Sequence, residues 1–277
     1  MKSKTLLFAA IAAVLFITFT DADAQNKGGS DFCSGNNYSS SGKVTAKELR
    51  EMTIAATGSL NVNGGKNGGI RIEGQDRSDV LIRACVQALG IDDESAQSNL
   101  KSMRIETGGT IRAEGAGDEN WSVSYLILVP RSTDLNLTAQ NGGISIEDVS
   151  GNMDFRTQNG GIHLSDLSGS VKGRTVNGGL HVELTGNSWK GSGLELETTN
   201  GGVHVSLAKN YAAHFETSTV NGGFHSNIAQ LDLQKTSRND RRPGGRVTAD
   251  LNGGGAPIKL TTTNGGVHIG SDDGDDE

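Results

Sequence analysis

Five histidines hold the same place in five closely similar segments: TQNGGIHLSD (157–166), TVNGGLHVEL (175–184), TTNGGVHVSL (198–207), TVNGGFHSNI (219–228) and TTNGGVHIGS (262–271). His163, His181, His204, His225 and His268 each follow an Asn by four residues, and all but His225, which Ser226 follows, stand between two apolar positions. Imidazole ligates Zn²⁺, Cu²⁺ and Ni²⁺ and titrates close to neutral pH, so a recurring His suggests metal or proton chemistry. Strand alternation turns each of these rings outward. If the segments stack as coils, His163, His181, His204 and His225 stand in one column about 4.8 Å apart. They are the candidate metal ligands, with Glu183 a candidate third ligand. A flat column supplies ligands in a line, whereas tetrahedral closure needs one from elsewhere. Protonation below about pH 6.5 would instead set neighbouring rings against each other. The structural alternative is a column of exposed, half-polar strand residues.

The elements that carry these histidines are internal repeats. The motif recurs at Asn141-Gly142-Gly143, Asn159-Gly160-Gly161, Asn177-Gly178-Gly179, Asn200-Gly201-Gly202, Asn221-Gly222-Gly223 and Asn264-Gly265-Gly266. Its first intervals are 18, 18, 23 and 21 residues. A longer stretch before Asn264 contains a further Asn252-Gly-Gly out of register. Two positions before the Asn stand Ala139, Thr157, Thr175, Thr198, Thr219 and Thr262; after it come apolar pairs such as Ile162/Leu164 and Val203/Val205. Ser150-Gly151, Ser168-Gly169 and Thr185-Gly186 punctuate the middle of a repeat, so each unit holds two short strands. A hairpin meander and a β-solenoid both suit such spacing. Identical residue types at every unit favour stacking, with Asn side chains bonded along a corner and Gly supplying positive φ there. The expected fold is all-β, a parallel β-solenoid of either hand with coils of about 18–23 residues.

Residues 43–130 depart from the repeat. MTIAA, GIRIE, DVLIRACV and SVSYLILVP read as strands, and DDESAQSNLKS (92–102), acidic first and basic late, reads as a short helix. This part is expected to be a β-rich cap for the first coil, with the solenoid proper at 131–270. Lys2 and Lys4 before the apolar run Leu6–Ile17, then Ala22-Asp23-Ala24, form a signal peptide over 1–24. Residues 25–42 read as a flexible leader and 271–277 as an acidic tail. If the last coil exposes a strand edge, that tail discourages end-to-end stacking. No second apolar stretch is long enough to span a membrane.

Net charge is −7, and a nucleic-acid partner is excluded for want of a basic footprint. The short patch of Arg238, Arg241, Arg242 and Arg246 reads as a solvated loop. Cys33 and Cys85 are the only cysteines and are candidates for a disulfide in an oxidising compartment. No catalytic or phosphate-binding motif occurs, and no cofactor is expected. Asp148, Asp154 and Asp166 lie in neighbouring coils, but their offsets differ or part them around the coil, so spacing alone argues no paired-carboxylate site.

WSVSYLILVP, LNLTAQNGGISIEDVSG, the repeated T-x-NGG units, VSLAKNYAAHFETSTVNGG and a final TTTNGGVHI together resemble the "putative adhesin" family of bacterial β-strand-repeat envelope proteins. The resemblance spans roughly residues 50–270. It implies a β-solenoid and an extracytoplasmic or cell-surface location, and brings no catalytic residues; the histidines are where this chain departs from it. The expected function is a secreted, non-enzymatic solenoid that presents a repetitive surface to an envelope or surface protein or a glycan. A periplasmic sensor for a metal or envelope-stress ligand is the alternative, and a carbohydrate-active β-helix enzyme a third.

Overall fold

A computed structural model describes residues 29–35, 38–115, 117, 120–232 and 244–271. The expected signal peptide, residues 272–277 of the expected acidic tail, and Arg238, Arg241 and Arg242 fall outside these residues, while Ser271 ends a strand. Apolar residues alternate with polar ones along the repeats, and the chain folds into two ten-stranded sheets that enclose one core.

In the first sheet, Ile70–Gln75, Ile144–Glu147, Ile162–Ser165, Leu180–Leu184, Val203–Leu207, Val267–Ser271 and Phe224–Ser226 follow one another in parallel. The second sheet is parallel through Thr110–Glu114, Ser59–Asn63, Asp134–Asn141, Ser150–Asn159, Ser168–Asn177, Gly193–Asn200, Pro257–Asn264 and Ala213–Asn221. Each repeat gives one strand to each sheet, as expected of a β-solenoid, and equivalent residues face each other: Thr157 against Thr175, and Asn159 against Asn177.

Sequence order and stacking order part company at the distal end. Val267–Ser271 lies between Val203–Leu207 and Phe224–Ser226, and Pro257–Asn264 lies between Gly193–Asn200 and Ala213–Asn221. The last coil of the sequence is therefore interior, which removes the expected role of the acidic tail beside an open last-coil edge. The edges belong to Phe224–Ser226 and to Gly245–Leu251, which pairs antiparallel with Ala213–Asn221.

Side chains that face inward form columns: Ile144, Ile162, Leu180, Val203 and Val267 on one wall, and Leu135, Met153, Val171, Leu194 and Ile258 on the other, all buried. Complete burial of such a side chain stabilises by about 1.5–3 kcal/mol. One column has a gap at Gly173, where a Cβ would lie 2.1 Å from Phe155 Cε2, so the phenyl ring of one coil fills the space its neighbour leaves.

The proximal end is antiparallel. Val44–Ala55 pairs with Asp79–Gly90, which pairs with Trp121–Pro130. The helix Asp93–Ser102 packs on the first two of these strands where the acidic-then-basic pattern places it. Asp92 caps it, accepting from the Ser95 N–H at 2.8 Å, and these Ser95 bonds hold the Asp92 carboxyl below its ordinary range. Arg50 donates to the carbonyls of Leu100 and Met103 at the other end. Residues 25–42 are not simply a loose leader: Gly29–Ser34 is helical, and a disulfide ties Cys33 to Cys85 with Cα atoms 5.2 Å apart.

Candidate functional site: a register of imidazoles on the outer wall

The corner beside each histidine is built from three residue types. Asn side chains bond in a ladder, each Nδ2 donating to a neighbouring Oδ1: Asn159 to Asn141, Asn177 to Asn159, Asn200 to Asn177, Asn264 to Asn200 and Asn221 to Asn264, at 2.7–2.8 Å. Buried Thr hydroxyls brace the same corner, as Thr175 Oγ1 donates to the Gly160 carbonyl and Thr198 Oγ1 to the Gly178 carbonyl, both at 2.8 Å. The glycines need a different explanation from the one the sequence suggests. Those of the six motifs from Asn141 to Asn264 do not adopt positive φ. Instead the backbones of adjacent coils approach so closely that a Cβ on Gly178 would lie 2.0 Å from the Gly160 oxygen. Positive φ belongs to the out-of-register motif, where Asn252, Gly253 and Gly254 have φ of 48°, 94° and 80° and form a real turn.

From this corner the first-sheet strands project the five imidazoles in one register. Strand pairing sets His163 against His181, His181 against His204, His204 against His268 and His268 against His225. Ring centroids are 4.7, 5.1, 4.9 and 5.1 Å apart along that order, with planes within 3–18° of parallel. The structure thus places His268 inside the column, between two residues the sequence had made neighbours. Each ring folds back over the second glycine of its own motif, as a Cβ on Gly179 would lie 3.5 Å from His181 Nε2. None of the five has a hydrogen-bond or ion-pair partner among the described residues. His214 differs: its Nδ1 is 2.6 Å from Asp250, and that bond raises its pKa.

Alongside the rings runs a shallow groove whose far bank is Ser165, Glu183, Ser206 and Gly270. Burial, and then His163, push the His181 pKa below the ordinary imidazole value; burial, His204 and His225 do the same to His268. Next to His163 stands Ser145, and next to Ser145 stands Arg71, ion-paired to Glu73 at 2.7 Å and to Glu147 at 3.5 Å. As the rings stand, no three His, Cys, Asp or Glu side chains among the described residues converge as metal ligands do. Two imidazole nitrogens on one tetrahedral ion at 2.0–2.1 Å each lie roughly 3.3 Å apart, closer than these parallel rings.

Sequence reasoning missed two features. Asn67-Gly68-Gly69-Ile70-Arg71-Ile72 is an earlier copy of the motif, since Ile70 pairs with Ile144 and Asn67 accepts from Asn141 Nδ2 at 3.3 Å. The letters NGGIRI carried that signal. Of Asp148, Asp154 and Asp166, whose offsets differ or part them around the coil, Asp148 and Asp166 share one offset: both follow Asn by seven residues, and both have positive φ (60° and 53°). Asp148 is engaged by Arg131 at 2.6 Å.

The outer wall of the second sheet has another character. Asp154, Lys172, Glu195, Lys259 and Glu216 occupy one register, so charge alternates from coil to coil. Lys259 Nζ and Glu195 Oε1 are 2.7 Å apart.

No curated protein matches this chain. Among solved structures, a putative cell adhesion protein from Clostridium sporogenes is similar over 81% of this chain and 100% of its own, at 12% identity and a TM-score of 0.43. A putative adhesin from Bacteroides fragilis is similar over 82% of this chain and 98% of its own, at 10% identity and a TM-score of 0.40. A family model, Toastrack DUF4097, matches residues 35–270, which takes in both sheets and every histidine of the column. With its corner motifs, strand registers and this match in agreement, the chain belongs to the Toastrack DUF4097 family.

Proposed function

We propose that the chain is a secreted, non-enzymatic solenoid that binds a partner at the cell envelope through its imidazole wall. One observation carries this reading: five imidazoles stand in register with their ring nitrogens unpaired among the described residues, four of them (His163, His181, His204 and His268) lining a groove, whereas His214 is engaged by a carboxylate. A straight row of repeating donors and acceptors suits an extended protein segment or a glycan more than a small substrate, which calls for a concave pocket with converging polar groups. Export is supported by Lys2 and Lys4, the apolar run Leu6–Ile17 and Ala22-Asp23-Ala24. No helix among the described residues is long and apolar enough to cross a membrane. The antiparallel strands and the Asp93–Ser102 helix act as a cap that covers the first coil.

Co-sedimentation of the purified chain with envelope fragments tests the reading. Changing all five histidines to Asn is expected to reduce the bound fraction at least about tenfold, while Glu195→Gln with Lys259→Gln on the opposite wall leaves it unchanged. Equal binding by wild type and the five-histidine variant would refute it.

A further inference from the structure

Four strands end the two sheets. Phe224–Ser226 and Arg104–Glu106 are three residues long, and Gly245–Leu251 packs against the short helix Ala229–Asp232. The fourth, Val44–Ala55, has twelve residues, contains no proline and pairs with Asp79–Gly90 in an unbroken register without a bulge. Among the described residues no strand lies on its far side, so half of its backbone N–H and C=O groups point along the sheet without a strand to receive them. Charged side chains commonly guard such an edge, and Lys47, Glu48, Arg50 and Glu51 stand on this one. Their order is more specific than guarding requires. Against an antiparallel copy of the strand centred on Leu49, Lys47 faces Glu51 and Glu48 faces Arg50, each pair twice. Centring on Glu48 or on Arg50 matches no opposite charges at all. The Leu49 register also sets Val44, an exposed large apolar side chain, against Ile54, and Thr45 against Thr53, a favourable cross-strand pair.

We propose that Val44–Ala55 is a docking edge for a second copy of this chain, paired antiparallel about a two-fold axis at Leu49. Main-chain bonds across the axis supply affinity, and the charges choose the register. Lys47 and Glu51 lie on one face of the strand and Glu48 and Arg50 on the other, as residues that oppose each other in an antiparallel pair must. Within one copy Glu48 pairs with Arg50 at 2.8 Å and Glu51 with Arg83 at 2.6 Å, and the two carboxylates stay 51% and 42% exposed. A carboxylate accepts several hydrogen bonds, so each has room for a second cation from the other copy. The first sheets of the two copies then join into one continuous sheet. An axis perpendicular to that sheet leaves both imidazole columns on the same side, so an extended partner meets two binding faces at once. The docking edge itself does not depend on what the imidazoles bind.

Sedimentation velocity of the purified chain at low salt, over a range of concentration, is the test, with far-UV circular dichroism checking that each variant keeps the wild-type fold. Wild type is expected to form a dimer that dissociates on dilution. Lys47→Glu sets carboxylates against each other across the axis, and Glu51→Lys does the same with ammonium groups, so each variant alone should dimerise at least about tenfold more weakly. An equimolar mixture of the two variants restores opposite charges on both sides of the axis and should recover the dimer, which damaged folding could not do. A wild type that stays monomeric at every concentration would overturn the docking edge, as would a dimer that both single variants form as well as wild type. Folded variants that remain monomeric in the mixture would overturn the Leu49 register.

Discussion

On one wall of the solenoid five imidazoles repeat without a break; on the other, Asp154, Lys172, Glu195, Lys259 and Glu216 alternate in sign. Both walls rest on parallel ladders that bring equivalent residues within about 4.8 Å of each other. At that separation like charges directly opposite one another destabilise a sheet, and opposite charges support it. The register from Asp154 to Glu216 alternates and its Lys259 and Glu195 pair at 2.7 Å, while the next outward register sets Arg156 against Arg174 and Arg174 against Glu197. The imidazole wall repeats one side chain whose rings stack in parallel, and its ring nitrogens are engaged by no other described residue. A repeated polar side chain therefore leaves its hydrogen-bonding atoms unengaged, whereas alternating charges engage one another, as Lys259 and Glu195 do.

The corner on which both walls depend should show the largest effect. Gly178→Ala places a Cβ 2.0 Å from the Gly160 oxygen and is expected to cost about 3 kcal/mol or more in urea unfolding. Gly179→Ala, where the nearest atoms are 3.5 Å away, should cost less than about 1 kcal/mol. Comparable losses at the two positions would show that the coils are not in close backbone contact. Next in size is Thr198→Val, which removes the hydroxyl that donates to the Gly178 carbonyl and should cost about 1–2 kcal/mol.

A charge reversal probes the alternating wall directly. Glu195→Lys puts lysine between Lys172 and Lys259, and thermal unfolding at low salt should reveal a loss of about 0.5–1 kcal/mol that salt reduces. A loss that ignores salt would mean the alternation is not electrostatic in origin.

The smallest effect, and the sharpest contrast, comes from pH. His181 and His268 have folded pKa values below the unfolded 6.5, so the folded chain binds fewer protons. Their contribution is intact above pH 6.5 and is lost as pH falls through the lowered values. For His214 the sign is opposite: its raised pKa stabilises the fold below pH 6.5, and that support is lost as pH rises through the raised value. Stability followed from pH 8 to pH 5 should flatten in the acid range when His181 and His268 become Asn, and steepen when His214 does. The reverse pattern would contradict the assignment of neutral and paired imidazoles.

Much of this architecture was legible in the residues themselves. Motif spacing located the coils, and alternation around His163, His181 and His204 turned them outward because one face of a strand must enter the core. Stacking order was not legible, since no local rule requires the last repeat to lie last in space; Gly245–Leu251 takes the outer side of Ala213–Asn221 before Pro257–Asn264 inserts on its inner side. Asn67 was obscured by Gly64, Gly65 and Lys66, which separate it from the strand Ser59–Asn63. The role of glycine was misread because Asn-Gly-Gly serves two purposes here, close packing in the ladder and positive φ at Asn252. Glu183 was visible as a candidate ligand, but the unpaired state of the rings beside it became apparent only in three dimensions.

The central claim is one unbroken register in which His268 separates His204 from His225. Paired cysteines measure it most directly, because a disulfide needs Cα atoms about 4.4–6.8 Å apart. In an oxidised sample, mass spectrometry should find a cross-link in His204→Cys/His268→Cys and none in His204→Cys/His225→Cys, whose strands lie about 9.6 Å apart with the last coil between them. A cross-link in the second pair and none in the first would show that the coils stack in sequence order and that the column described here does not exist.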